Sequence, residues 1–308
     1  YIYLRIYTPE APAITEAMTA EERENSKRIA DSLKAVPPCA DISVVPFSDM
    51  YAGVRYKANG RLKQQRVKAG ATDVSFSPDD ANEKFHDTET YIYGASELSS
   101  LGDLSKLYCG VIDLSNASKL VELKLGNENP AYYNDNFREV HVGANRLLKL
   151  IDLRNCAGLG IAGEPQKTLS LSGCPNIETI YTEGTNLAAV DLPTSGYIKV
   201  LHLPSSISTI NIQNQPHITD FSVANDDYSN VRTLRIEECP TIDTNAILEK
   251  CQVSPGVYSV EQVRLSGINW TMDDATFVKS LFPRTDSLNN LIGGIRGINE
   301  NNIPTDDA

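Results

Sequence analysis

The residues that could carry chemistry in this 308-residue chain are few, and their spacing points away from catalysis. Four histidines stand at positions 86, 141, 202 and 217. Imidazole is the usual base or metal ligand near neutral pH, yet no two of these share the i, i+4 spacing of a helical metal site. His141 and His202 each occupy the middle of an apolar triplet, Val140-His141-Val142 and Leu201-His202-Leu203, where strand alternation sends the middle side chain to solvent. The acidic pairs Asp79-Asp80, Asp226-Asp227 and Asp273-Asp274 are the type of group that hydrolyses glycosides or holds calcium. They lack the accompanying spacing, and aspartates at turns and helix starts serve local bonds to backbone N–H groups. Six cysteines, none in a C-x-x-C pair, suit neither a disulfide scaffold nor a zinc site. No nucleophile elbow, phosphate-binding loop, EF-hand loop or dinucleotide fingerprint occurs. The expectation is a non-enzymatic chain without catalytic, cofactor-binding or metal-ligating residues.

A formal charge of -12 argues against partners that need clustered cations, namely nucleic acid and anionic membrane surfaces. Basic residues do gather at Arg55, Lys57, Arg61, Lys63, Arg66 and Lys68, within a hairpin signal around Asn59-Gly60 where a solvated face is expected. No apolar run approaches the ~20 residues of a membrane span. The chain opens on Tyr1 with no signal-peptide pattern, so the numbering is expected to begin inside a longer chain or after processing; the Asn-x-Ser/Thr matches at Asn116 and Asn269 are read as chance.

What organises the sequence is a repeat. Ile112-Asp113-Leu114 is followed by Ala117 and Leu120, Val140-His141-Val142 by Asn145 and Leu148, and Ile151-Asp152-Leu153 by Cys156 and Leu159. Leu169-Ser170-Leu171 with Cys174 and Ile177, Ile210-Asn211-Ile212 with Gln215 and Ile218, and Leu234-Arg235-Ile236 with Cys239 and Ile242 keep the same frame. An apolar residue three positions ahead often completes it, as Leu120 does for Leu123-Lys124-Leu125. The frame resembles the L-x-x-L-x-L-x-x-N/C-x-L signature of leucine-rich repeats. Its flanking apolar side chains share one strand face, and stacked coils bury a column that no single coil could bury. The Cys or Asn three residues after the strand turns inward, so it must be small and apolar or satisfy backbone groups. Cys156, Cys174 and Cys239 are thus expected to be buried ladder thiols.

Strand centres fall about eleven residues apart, so coils of roughly 20 to 29 residues carry two strand-like walls. One wall turns Lys124, Asp152, Tyr181, His202 and Ser222 outward, a candidate recognition surface; the other turns out Asp113, His141, Ser170, Asp191, Asn211 and Arg235. A polar insertion from Gly126 to Phe137 carries Tyr132, Tyr133 and Asp135, a candidate recognition loop.

The flanks differ. Residues 1–90 read as a small strand-rich domain with one helix, which starts at a Thr19/Glu22 capping box and stops at Pro37-Pro38. Residues 91–270 hold the repeats. Residues 271–308 read as a helical cap with Phe277, Val278 and Leu281 on its buried side, Trp270 packed beneath it, and a polar linker. The fold class expected is therefore an α+β repeat protein: an irregular leucine-rich repeat solenoid with a small strand-rich N-terminal domain and a helical C-terminal cap.

Several stretches add a more specific likeness. Tyr91-Ile92-Tyr93-Gly94-Ala95, Gly102-Asp103-Leu104-Ser105-Lys106-Leu107 and Leu150-Ile151-Asp152-Leu153-Arg154-Asn155-Cys156 are three of them. With Leu201-His202-Leu203-Pro204-Ser205-Ser206-Ile207, Ile218-Thr219-Asp220-Phe221 and Leu265-Ser266-Gly267-Ile268-Asn269-Trp270, the chain resembles leucine-rich repeat regions of large, often tail-associated virion proteins of gut bacteriophages. The resemblance spans about residues 50 to 300, and the helical stretch around 12 to 38 departs from it. It implies a structural module located in the phage particle, with other virion proteins, copies of itself, or a host-surface protein or glycan as partners. A bacterial cell-surface adhesin, located outside the cell, is the alternative among binding proteins. A carbohydrate-active depolymerase competes from another class and requires two acids facing one groove, roughly 5 to 10 Å apart.

Overall fold

The structure, a computed structural model, describes residues 2–6, 14–34, 40–46, 48–55, 62–69, 72–76, 88–92, 96, 98–103, 109–128, 137–163, 166–194, 196–255 and 257–267. The chain begins with β1 (Ile2–Ile6), α1 (Ala20–Lys34), β2 (Ala40–Pro46), β3 (Met50–Arg55), β4 (Leu62–Val67), β5 (Thr72–Phe76), β6 (Thr88–Ile92) and β7 (Leu98–Asp103). The capping box forms as its spacing requires: Thr19 N donates to Glu22 Oε2 at 2.7 Å and Glu22 N donates to Thr19 Oγ1 at 3.2 Å. The hairpin signal is also realised, with Met50 opposite Val67 and Arg55 opposite Leu62 in β3 and β4.

The repeats follow as β8 (Cys109–Asp113), β9 (Glu122–Lys124), β10 (Glu139–His141), β11 (Leu150–Asp152), β12 (Thr168–Ser170) and β13 (Thr179–Tyr181). Then come β14 (Ala189–Asp191), β15 (Val200–Leu203), β16 (Thr209–Gln213), β17 (Asp220–Val223) and β18 (Thr233–Glu237). Alternate strands build alternate walls, giving a β-solenoid of about five turns. Strands β9, β11, β13, β15 and β17 pair in parallel as the first wall; β12, β14, β16 and β18 do so in the second. Parallel pairing follows from the coiling itself, because each coil re-enters a wall in the same direction.

The N-terminal strands extend both walls. β1 lies antiparallel between β6 and β8, and β2 lies antiparallel between β5 and β7, which pairs with β9. Ile2, Leu4, Val67, Leu98 and Leu101 are fully buried in the same apolar cluster as Leu123, Ile151 and Leu201. The stretch expected as a small strand-rich domain is thus hydrogen-bonded to the solenoid.

After β18 a first-wall strand is due, and the chain forms α2 (Thr244–Lys250) instead. Asp243 caps it, accepting from Ala246 N at 3.0 Å, and Ile247 and Leu248 face the core. A hairpin of β19 (Gln252–Ser254) and β20 (Val257–Tyr258) leads to β21 (Gln262–Ser266), which rejoins the second wall beside β18. Helix α2 was not among the sequence expectations. The expected helical cap at 271–308 and Trp270 lie outside the described residues.

The inward position after each strand is where the coil closes, and it behaves as its residue types demand. Ala117, Asn145, Cys156, Cys174, Gln215 and Cys239 are all buried. Asn145 uses its whole carboxamide: Nδ2 donates to the carbonyls of Ala117 and Leu120 at 2.8 and 2.9 Å, and Oδ1 accepts from the amides of Leu147 and Leu148. Gln215 accepts from Ile198 N and donates to Pro193 O at 2.6 Å. Cys156, Cys174 and Cys239 form no disulfide with one another, and burial pushes the thiols of Cys174 and Cys239 above the ordinary thiol range. Thr185 and Ser206 fill equivalent places with hydroxyls bonded to carbonyls of Thr182 and Leu187.

The turn just before this position bends through left-handed backbone. Asn155, Gly184, Asn214 and Glu238 precede Cys156, Thr185, Gln215 and Cys239, and all have φ between 52° and 73°.

Replacing Asn145 by alanine removes four hydrogen bonds at one coil junction, and only the Ala117 carbonyl keeps a second partner, the Leu120 amide. The Asn145→Ala chain is expected to lose about 2 to 4 kcal/mol of unfolding free energy, measured by urea denaturation. A loss under about 0.5 kcal/mol would mean the junction is held by packing alone.

Candidate functional site

Strand alternation on the first wall sends residues two apart to the outside, so its outer face is a grid of rows running across the coils. The middle row is Lys124, Asp152, Tyr181, His202 and Ser222, neighbours on consecutive strands. The structure therefore brings all five candidate wall residues together in register. Lys124 pairs with Glu122 at 2.9 Å.

The centre of the row is a linked network. Arg154 Nε and Nη2 donate to the two Asp152 carboxylate oxygens at 3.0 and 2.6 Å, and the Arg154 amide donates to Asp152 Oδ1 as well. Asp152 is only 6% exposed despite facing outward, because this grip and the neighbouring side chains cover it. The Arg154 guanidinium lies over the Tyr181 ring, 4.6 Å from its centroid, and holds its proton more firmly than usual because of its bonds to Asp152. Tyr181 meets the His202 ring edge-on at 5.1 Å. His202 Nδ1 stands 2.8 Å from Glu183 Oε1 and Nε2 stands 3.0 Å from Asp220 Oδ1. Burial disfavours the charged imidazolium, but Asp220 and Glu183 together outweigh it, so the His202 pKa is raised.

Arg154, Glu183 and Asp220 were not singled out from the sequence, although the signal was available: they sit two residues from Asp152, Tyr181 and Ser222, on the same face by alternation. A further row at the wall's edge ties three coils together, Glu178 bridging Lys149 at 2.9 Å and Lys199 at 2.6 Å. The lysines hold the Glu178 carboxyl below its ordinary pKa.

The second wall is less connected. Ser170 Oγ donates to Asp191 Oδ2 at 3.2 Å, and Glu237 takes both Arg235 and Arg264. His141 contacts Glu139 at 3.1 Å, and its row neighbours are Asp113 on one side and a break in the sheet on the other. The acidic pair at 226 and 227 is used locally: Asp226 pairs with Lys250, and Asp227 accepts from Ser229 N at 3.0 Å, the Ser229 hydroxyl and then this amide lowering its pKa. The other two acidic pairs and the loop residues Tyr132, Tyr133 and Asp135 lie outside the described residues.

Chemically, the first wall offers a flat face with a cation, an aromatic edge and carboxylates at fixed spacing. Glu183 and Asp220 do share a face, but both address one imidazole rather than opposite sides of a groove. No group of three metal-ligating side chains comes together among the described residues, and no described helix is long and apolar enough to cross a membrane.

The fold defines a two-walled β-solenoid with one strongly networked outer face. No family model, curated protein or solved structure matches the chain.

The raised pKa of His202 fixes the sign of a pH effect. The charged pairing contributes fully below the free imidazole value of about 6.5 and is lost as pH climbs through the raised native value. Between about pH 6 and pH 9 the stability advantage of the native chain over His202→Gln is expected to shrink, read from urea midpoints, with the native imidazole titrating above 6.5 by NMR. An imidazole titrating below that value contradicts the pairing.

Proposed function

We propose that this chain is a non-enzymatic binding and assembly module whose first wall is its recognition face. The observation that carries this is the in-register network from Asp152 and Arg154 through Tyr181 to His202, which fixes aromatic and charged groups on a rigid sheet. A binding surface gains from groups that lose little freedom when a partner arrives. Tyrosine and arginine are also the side chains that most often dominate binding energy.

The leucine-rich character of the repeat and its setting in a tail-associated protein of a gut bacteriophage belong to the same proposal. They rest on the resemblance of the repeat stretches quoted above. Neighbouring virion subunits, other copies of the chain, and a protein or glycan on the host surface are the partners this reading offers.

In a phage carrying the chain, antibody against it is expected to label purified particles at the tail, and Tyr181→Ala with His202→Ala is expected to slow host adsorption at least about tenfold at unchanged particle yield. Absence of the chain from purified particles overturns the virion setting. Unchanged adsorption and unchanged particle assembly overturn the first wall as the recognition face.

A further inference from the structure

The second wall is broken at one place. β10 is the edge of one sheet and β12 the edge of another, and no ladder joins them, although the first wall runs unbroken across the same coils from β11 to β13. A cleft of about 690 Å3 opens there, between Glu139–Gly143 on one side and Gln166–Ser172 on the other. That volume lies within the range of ligand sites.

Inside the cleft a side chain does what a strand would do. Gln166 Oε1 accepts from Val140 N at 2.7 Å and Gln166 Nε2 donates to Val140 O at 2.9 Å. A primary carboxamide satisfying both the N–H and the C=O of one residue reproduces the two bonds that a directly opposed residue of an antiparallel neighbouring strand would make. The coils meet again at the inner end, where Cys174 Sγ reaches Gly143 O at 3.7 Å and a Cβ on Gly173 would stand 2.9 Å from that carbonyl. The opening is therefore a wedge, closed at the turn and open along the strands.

We propose that this cleft binds an extended polypeptide segment of a partner protein, one of whose residues displaces the Gln166 carboxamide and pairs its own N–H and C=O with Val140. Strand addition draws its affinity from main-chain bonds at an exposed sheet edge, and two such edges face each other here. The lining selects the side chains. Ser115, Thr168, Ser170 and Ser172 are small and hydroxyl-bearing, and the ionisable groups beside them are already engaged, His141 with Glu139 and Lys167 with the carbonyls of Gly160 and Ile161, so the segment carries small or hydroxyl-bearing residues. Among the described residues no Phe, Tyr or Trp lines the cleft, and its one ring, the His141 imidazole, is paired with Glu139, so a sugar face has no broad ring to stack on. The site lies on the opposite wall from the proposed recognition face and does not depend on it.

The test uses the full chain and a fluorescent, acetylated and amidated peptide of alternating Thr and Ser with a terminal Lys. A second peptide of the same sequence has alternate amide nitrogens methylated. Binding of the first peptide by anisotropy is expected to tighten about tenfold in Gln166→Ala, which removes the internal competitor, and to be lost with the methylated peptide. On the native chain, a benzophenone-bearing version is expected to cross-link within residues 139–143 and 166–173, a reading that does not depend on how Gln166→Ala folds. Equal binding of the methylated peptide, cross-links confined elsewhere, no binding at millimolar peptide, or displacement by a neutral oligosaccharide would each overturn the proposal.

Discussion

Everything in this molecule depends on closing each coil without abandoning a polar backbone group in an apolar interior. A solenoid coil turns twice per repeat, and at each turn carbonyls and amides point inward where no water reaches them. The chain meets this with one inward residue per turn. Asn145 and Gln215 bond the groups directly, Thr185 and Ser206 do so with hydroxyls, and Cys174 and Cys239 fill the space with thiols that reach backbone carbonyls only weakly, beside ladder bonds between coils. Leu114 N to His141 O and Leu153 N to Tyr181 O show that second device, one coil's amide answering the next coil's carbonyl. With the turns fixed, strand register follows, and with register fixed, the outward rows become columns.

Those columns explain how a surface can be structured without a cavity. On a lone strand Asp152 and Arg154 would be a solvated local pair, worth little to a partner. Arg154, two residues further along, grips Asp152, and register with the next strands sets Arg154 over Tyr181 and Tyr181 against His202, so a face of single residues becomes a connected layer. Buried ionic groups are tolerated there because each is paired: Asp152 by a forked guanidinium, His202 by a carboxylate on either side. The second wall has the same alternation but one missing ladder, and Gln166 fills that place with its peptide-like carboxamide.

Much of this was legible in residue spacing. Apolar-x-apolar triplets predict β8 to β18, the inward Ala, Asn, Cys and Gln predict the coil closures, and Thr19 with Glu22 predicts the start of α1. The five wall residues fell into one row because period-two alternation is a local rule. Other features follow from contacts distant in sequence. Nothing near β1 tells that it inserts between β6 and β8, since antiparallel partners are chosen by burial of Ile2 and Leu4 against the repeat core. Helix α2 escaped because the repeat's rhythm calls for a strand there, and the Asp243 cap with Ala246, Ile247 and Leu248 wins locally. The break between β10 and β12 could not be read either, because Gln166, two residues ahead of β12, has no spacing that marks it as a strand's substitute.

The central claim is that the first wall is a parallel sheet with its outward residues in register across five coils. A spin-label distance between Lys124→Cys and Ser222→Cys, in a chain whose Cys39 and Cys109 are replaced by serine, tests it most directly. Four strand spacings separate the two positions, so the account requires a narrow distribution centred near 20 Å. A broad distribution, or a peak beyond about 30 Å, would contradict the stacked wall and the surface built on it.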